Sequence, residues 1–179
     1  VQTIVFVDTQ PPIITGVPEN LLFECDSFPS FIPVADVTAS DVCAGVLTVL
    51  FSEVAVPGDC PQEFSILRTW LAEDNCGNSV VAIQVILVAD MTPPVFTDEP
   101  GDLQVDCDNI PEPIIIGATD NCDADVLVTM QESMPGGGCP IIVRTWIAVD
   151  DCGNSNEYVQ TIYLVDNEPP ILVGIPPVG

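Results

Sequence analysis

The sequence contains no histidine and no lysine, and its only cations are Arg68 and Arg144. Imidazole and amine chemistry are therefore excluded, and no basic patch exists to hold a phosphate backbone or an anionic bilayer. Aromatic residues make up 6% of the chain, too few for a sugar-stacking platform. No uninterrupted apolar run is long enough for a membrane-spanning helix. The cysteines show no Cys-x-x-Cys spacing, which argues against zinc. Helical periodicity is missing from every window of useful length. An enzyme would be left with paired carboxylates in tight turns, so none is expected.

Against two cations stand 27 carboxylates, for a formal net charge of −25. Divalent cations are the natural counter-ions, although such acidity also serves solubility alone. Hydrophobic residues amount to 47%, mainly Val and Ile, with 18 Pro and 12 Gly. That composition predicts an all-β protein, and the repeat spacing described next divides it into tandem immunoglobulin-like β-sandwich modules. Eight cysteines, an even number, predict disulfides and an oxidising, extracellular or cell-surface location.

One phrase recurs: Val1-Gln2-Thr3-Ile4-Val5-Phe6-Val7-Asp8, Ile83-Gln84-Val85-Ile86-Leu87-Val88-Ala89-Asp90, and Val159-Gln160-Thr161-Ile162-Tyr163-Leu164-Val165-Asp166. Pro-Pro follows each shortly after. The three Asp residues are spaced 82 and 76 residues apart, an immunoglobulin-like module size. Residues 1–8 read as the last strand of a preceding module, 9–90 and 91–166 as two full modules, and 167–179 as the start of another. The chain opens mid-pattern and reads as a segment of a longer tandem array.

A second phrase occurs once per module: Arg68-Thr69-Trp70-Leu71-Ala72-Glu73-Asp74-Asn75-Cys76-Gly77-Asn78 and Arg144-Thr145-Trp146-Ile147-Ala148-Val149-Asp150-Asp151-Cys152-Gly153-Asn154. Each is a strand running into a turn. Arg, Trp, Ala and Asp share one face; Thr and aliphatic residues take the other. In the second module Leu103–Cys107 is an early strand, Ile114-Ile115-Ile116 a short one, and Val126, Val128, Met130 and Glu132 alternate along a third. Gly136-Gly137-Gly138 turns into the Arg-Thr-Trp strand, and the last strand runs from about 156 to 165.

Four cysteines per module allow three connectivities. Strand direction in a sandwich favours Cys25–Cys60 and Cys43–Cys76 in the first module, and Cys107–Cys139 and Cys122–Cys152 in the second. Glu53 faces Arg68 and Glu132 faces Arg144 on neighbouring antiparallel strands. Each pair is expected to form a partly buried ion pair stacked on Trp70 or Trp146. A pair of solvated surface charges is the blander alternative.

Carboxylates crowd the module end that carries Cys122 and Cys152. Asp90, Asp120, Asp123, Asp125, Asp150 and Asp151 could together hold a hard cation such as Ca²⁺. Asp8, Asp41, Glu73 and Asp74 form a poorer set in the first module. Turn chemistry accounts for the same residues without a metal, because Asp before Cys-Gly-Asn accepts backbone N–H groups. Both explanations stand at this point.

The phrases Ala-Thr-Asp-Asn-Cys (118–122), Arg-Thr-Trp-x-Ala-x-Asp-x-Cys-Gly-Asn and Val-Asp-x-x-Pro-Pro together resemble HYR-type (hyaline repeat) immunoglobulin-like modules. The Cys-containing versions in giant surface proteins of gliding Bacteroidota are the nearest in pattern. That resemblance implies an adhesin or surface filament exported by a type IX secretion route. The linker Asp166-Asn167-Glu168-Pro169-Pro170 is similar to cadherin linkers, without the remainder of the cadherin calcium motif.

The expected role is a structural or adhesive repeat acting as a disulfide-stapled rigid spacer. Its partners would be adjacent repeats or identical subunits in a filament, with residues 1–8 able to add as a strand to a neighbour. The alternative is a glycan- or protein-binding module using the acidic loops, with or without calcium.

Overall fold

The computed structural model describes residues 2–4, 7–135, 141–167 and 169. Residues Val1, Val5 and Phe6 of the first repeat phrase, the Gly136–Gly138 turn with Cys139, and nearly all of the expected following module at 167–179 lie outside them. The chain divides into two compact units, Val1–Thr92 with Asn121–Asp123, and Pro93–Asp120 with Ala124–Gly179.

Unit 1 contains strands β1 (Ile13–Thr15), β2 (Leu21–Glu24), β3 (Thr38–Asp41), β4 (Gly45–Leu47), β5 (Val49–Pro57), β6 (Phe64–Glu73) and β7 (Ser79–Ala89). A single turn of 3-10 helix, Cys25–Ser27, follows β2. The strands form two sheets, β1-β3-β4 and β2-β7-β6-β5. In the larger sheet β5, β6 and β7 are antiparallel, while β2 runs parallel to β7. That mixed order is the immunoglobulin-like solution: an early strand crosses over to lie beside the last.

Unit 2 repeats the plan with β8 (Val95–Phe96), β9 (Leu103–Asp106), β10 (Ala118–Thr119), β11 (Leu127–Ser133), β12 (Ile141–Val149) and β13 (Ser155–Val165). Its sheets are β8-β10 and β11-β12-β13-β9, with β9 parallel to β13. The all-β, immunoglobulin-like fold is thus present in both units.

Period-two alternation builds the cores. On β6, Arg68, Trp70 and Ala72 are buried; on β12, Ile142, Arg144, Trp146 and Ala148 are. Burying each Trp contributes on the order of 2–3 kcal/mol. Trp146 and Ala148 pack with Phe96 and Ile116, flanked by Val128 and Tyr158. In unit 1, Trp70 lies against Phe51 with ring centroids 5.5 Å apart, and Phe28 meets Phe23 and Phe64 edge-on at 5.8 and 5.4 Å.

The strand expected at Ile114-Ile115-Ile116 is not formed. Ile116 is buried at 2% exposure while Ile115 is fully exposed, and the short strand falls at Ala118–Thr119 instead. The Pro111-Glu112-Pro113 stretch just before explains the shift, since proline removes ladder donors.

Candidate functional site

Both arginines are consumed by the fold. Arg68, 4% exposed, sits opposite Glu53 on β5 and donates from Nε to Glu53 Oε2 at 2.7 Å. Its terminal nitrogens donate to the carbonyls of Pro33 at 3.1 Å and Ile32 at 2.7 Å. Arg144, 3% exposed, repeats this with Glu132 Oε2 at 2.8 Å and the Pro111 carbonyl at 2.5 Å. Each guanidinium thus pins a proline-containing loop to the sheet, using its planar fork on fixed acceptors. The acceptors are loop carbonyls in place of the expected Trp stacking; Trp70 and Trp146 take Phe51 and Tyr158 as ring neighbours.

The Asp-Cys-Gly-Asn turns are equally alike. Asp74 Oδ1 accepts the N–H of Cys76 at 2.8 Å and of Asn78 at 2.9 Å, and its Oδ2 accepts Asn78 Nδ2 at 2.7 Å. Asp150 does the same with Cys152 at 2.9 Å, Asn154 at 2.8 Å and Asn154 Nδ2 at 2.8 Å. Gly77 and Gly153 take φ of +90° and +89° in these turns, a conformation that costs glycine little. The Asn78 side chain, first among these donors, holds the Asp74 carboxyl below its ordinary value. Turn chemistry therefore occupies oxygens that a cation would need.

Of the other acidic residues, Asp120 and Asp150 bring carboxylate oxygens within 4.8 Å of one another. Asp90 is buried and its Oδ1 accepts the Thr92 N–H at 3.3 Å. Asp123 is buried and belongs to unit 1, whereas Asp125, Asp151 and Glu73 are exposed. Asp8 and Asp41 converge with the thiol of Cys43. A soft sulfur in place of an oxygen fits a hard cation such as Ca²⁺ poorly. The N–H groups of Ala44 and Cys43 lower the Asp41 carboxyl, and the charge of Asp8 raises the Cys43 thiol.

The cysteines depart from the expected scheme. Cys25 is joined to Cys122, with Cα atoms 5.9 Å apart, and not to Cys60. Cys122 is thereby also withdrawn from Cys152, although Cys60 and Cys152 are each disulfide-bonded. Cys43 and Cys76, expected to pair, are free thiols, as is Cys107; its expected partner Cys139 lies outside the described residues. The Cα separation lies in the range that a disulfide spans, and the Asn121–Asp123 loop clusters with unit 1.

Two residues given no role by sequence reasoning prove structural. Gln84 and Gln160, at 1% and 3% exposure, donate to the carbonyls of Glu19 at 2.7 Å and Gly101 at 2.8 Å. Each ties the loop before the parallel strand to the last strand. The signal was a glutamine at the same offset in all three copies of a mainly apolar phrase, Gln2, Gln84 and Gln160.

No protein family and no curated protein matches the sequence. Among solved structures, mouse clustered protocadherin PcdhgC3 EC1-3 is 13% identical, over 87% of this chain and 68% of that one, with a TM-score of 0.33. Human mucin-like protocadherin EC1-2 is 11% identical, over 86% and 98%, with a TM-score of 0.33. Drosophila N-cadherin EC1-4 is 10% identical, over 88% and 50%, also at 0.33. The fold assignment rests on strand order and register, not on these likenesses. Among the described residues no helix is long and apolar enough to cross a membrane.

Proposed function

We propose that the chain is a structural, adhesive repeat segment of a long extracellular surface protein of the HYR-like kind, working as a stapled spacer between other parts of that protein. One observation carries this reading: each unit spends its single cation, its Trp and its turn Asp on the same internal framework. The Arg68–Glu53 and Arg144–Glu132 pairs both clamp loops, and the turn oxygens of Asp74 and Asp150 are already bonded. What remains is a repeated, cross-linked frame suited to holding distance. Adjacent repeats and identical copies are its partners, and no reaction is assigned to it.

Pulling the chain between its ends by force spectroscopy tests the proposal. Discrete unfolding steps are expected. With the Cys25–Cys122 bond intact, the 97-residue separation is locked, so the oxidised chain should release at least on the order of 33 nm less than the reduced chain, in which the bonds of Cys60 and Cys152 are open as well. Smooth, step-free extension would sink the spacer reading. A melting midpoint unchanged by a calcium chelator is expected from the turn chemistry; a large drop would favour the calcium-dependent binding module.

A further inference from the structure

In the larger sheet of unit 1, the face opposite Trp70 is aliphatic and open to solvent. Leu22, Leu50, Val54, Val81 and Ile83 are 55%, 63%, 56%, 55% and 56% exposed. The register sets them in cross-strand rows with Leu67 and Leu71 on β6. Among the described residues, the charged side chains of these four strands on this face are Glu24 and Glu73, at opposite ends and on different strands. Everything between them is apolar or hydroxylic, in a chain of net charge −25. An uncharged face of this extent is of the size that is often functional on a monomer.

We propose that this face docks against the same face of a second copy of the chain. The charge of the molecule selects that occupant. An anionic lipid surface would need exposed cations beside the face, and both arginines are buried in ion pairs. A basic protein would gain most against the acidic loops, where attraction is available, and not on a neutral face. Two copies of so acidic a chain repel least where neither face carries charge, and this face is such a place. Two sheets pack face to face about 10 Å apart, and a two-fold arrangement is self-complementary. Under a two-fold axis, along or across the strands, Glu24 and Glu73 each meet uncharged residues of the copy.

Four strands about 4.8 Å apart and about seven residues long give a face of roughly 450 Å². Two such faces fall below the 1,200–2,000 Å² of stable complexes, which makes the contact weak and reversible. Repetition along an array would strengthen it by effective concentration. This surface is where the identical copies of the reading above would meet. A strictly monomeric chain would remove the present inference and leave the spacer, tested by force, standing.

Sedimentation of the whole chain from about 10 µM to about 1 mM, at low salt and at about 0.5 M salt, reads the outcome. Dimer should grow with protein concentration and also with salt, because screening relieves the repulsion between acidic copies. Val54→Glu with Ile83→Glu should weaken association at least about tenfold, while Thr145→Glu on the matching face of unit 2 should not. Leu50→Thr with Ile83→Thr keeps strand propensity and serves if the charged variant misfolds. A monomer under all conditions overturns the proposal, as does a dimer indifferent to both face variants. Flotation with phosphatidylcholine vesicles that the Val54→Glu/Ile83→Glu variant loses would make lipid the occupant and overturn it equally.

Discussion

The two units agree inside and differ outside. Arg68, Trp70, Ala72 and Asp74 superimpose in role on Arg144, Trp146, Ala148 and Asp150, down to the ion pair and the turn bonds. Their outer faces share no such constraint. Where unit 1 presents Leu50, Val54, Val81 and Ile83, unit 2 presents Thr129, Ser133, Glu157 and Val159. The supporting sheets also differ, three strands β1-β3-β4 against two, β8-β10. The inner face is dictated by packing and closure; the outer face is free to specialise, and in unit 1 it carries no charge between its ends.

The largest effect expected in this comparison is on the Cys25–Cys122 disulfide of unit 1. Replacing Cys25 and Cys122 with Ser releases a 97-residue separation and should cost about 4–5 kcal/mol in denaturant unfolding. Serine at the free thiols Cys43 and Cys76 should cost less than about 0.5 kcal/mol. Peptide mapping without reduction should recover Cys25 linked to Cys122; a Cys25–Cys60 peptide would refute the assignment.

Next come the arginines. Arg68→Ala strands two loop carbonyls and Glu53, and Arg144→Ala does the corresponding damage in unit 2. Because both glutamates stay partly solvated, at 42% and 35% exposure, the loss should be about 3 kcal/mol in each, at the low end for broken buried pairs. Unequal losses would show that the two clamps are not equivalent. Arg68→Lys should recover only part of the loss, since one ammonium cannot reach the three acceptors in their plane.

Asp150→Ala removes three turn hydrogen bonds and should cost about 2 kcal/mol; the melting temperature reads it directly. Acid provides the mildest test. Backbone N–H groups depress the carboxyls of Asp41, led by Ala44, and of Glu24, led by Met91, and Asn78 depresses Asp74. The unfolded chain therefore binds more protons than the folded one just below the ordinary carboxylate range. Their stabilisation is complete above about pH 5 and is lost as pH falls through the depressed folded values. Asp74→Asn should flatten this dependence in melting curves taken from about pH 5 downward.

Much of this was legible in advance, and particular residues show why the rest was not. Alternation along Arg68–Asp74 and Arg144–Asp150 announces strand and turn because period two and turn chemistry are local. The cross-strand Glu partners followed from the same alternation. Gln84 and Gln160 were visible as repeated letters, but their acceptors, the carbonyls of Glu19 and Gly101, lie 65 and 59 residues away. The run Ile114-Ile115-Ile116 reads as a strand, yet the preceding prolines and the fit of Ile116 against Trp146 keep it irregular.

By itself the sequence determined the all-β class, the repeated strand–turn phrase and the internal use of both cations, since each depends on neighbours a few positions apart or on simple scarcity. Tertiary structure alone decided which cysteines meet, which loop carbonyls receive each guanidinium, and that nothing charged interrupts one sheet face. Those outcomes depend on distances between segments far apart along the chain, and no local pattern encodes a distance.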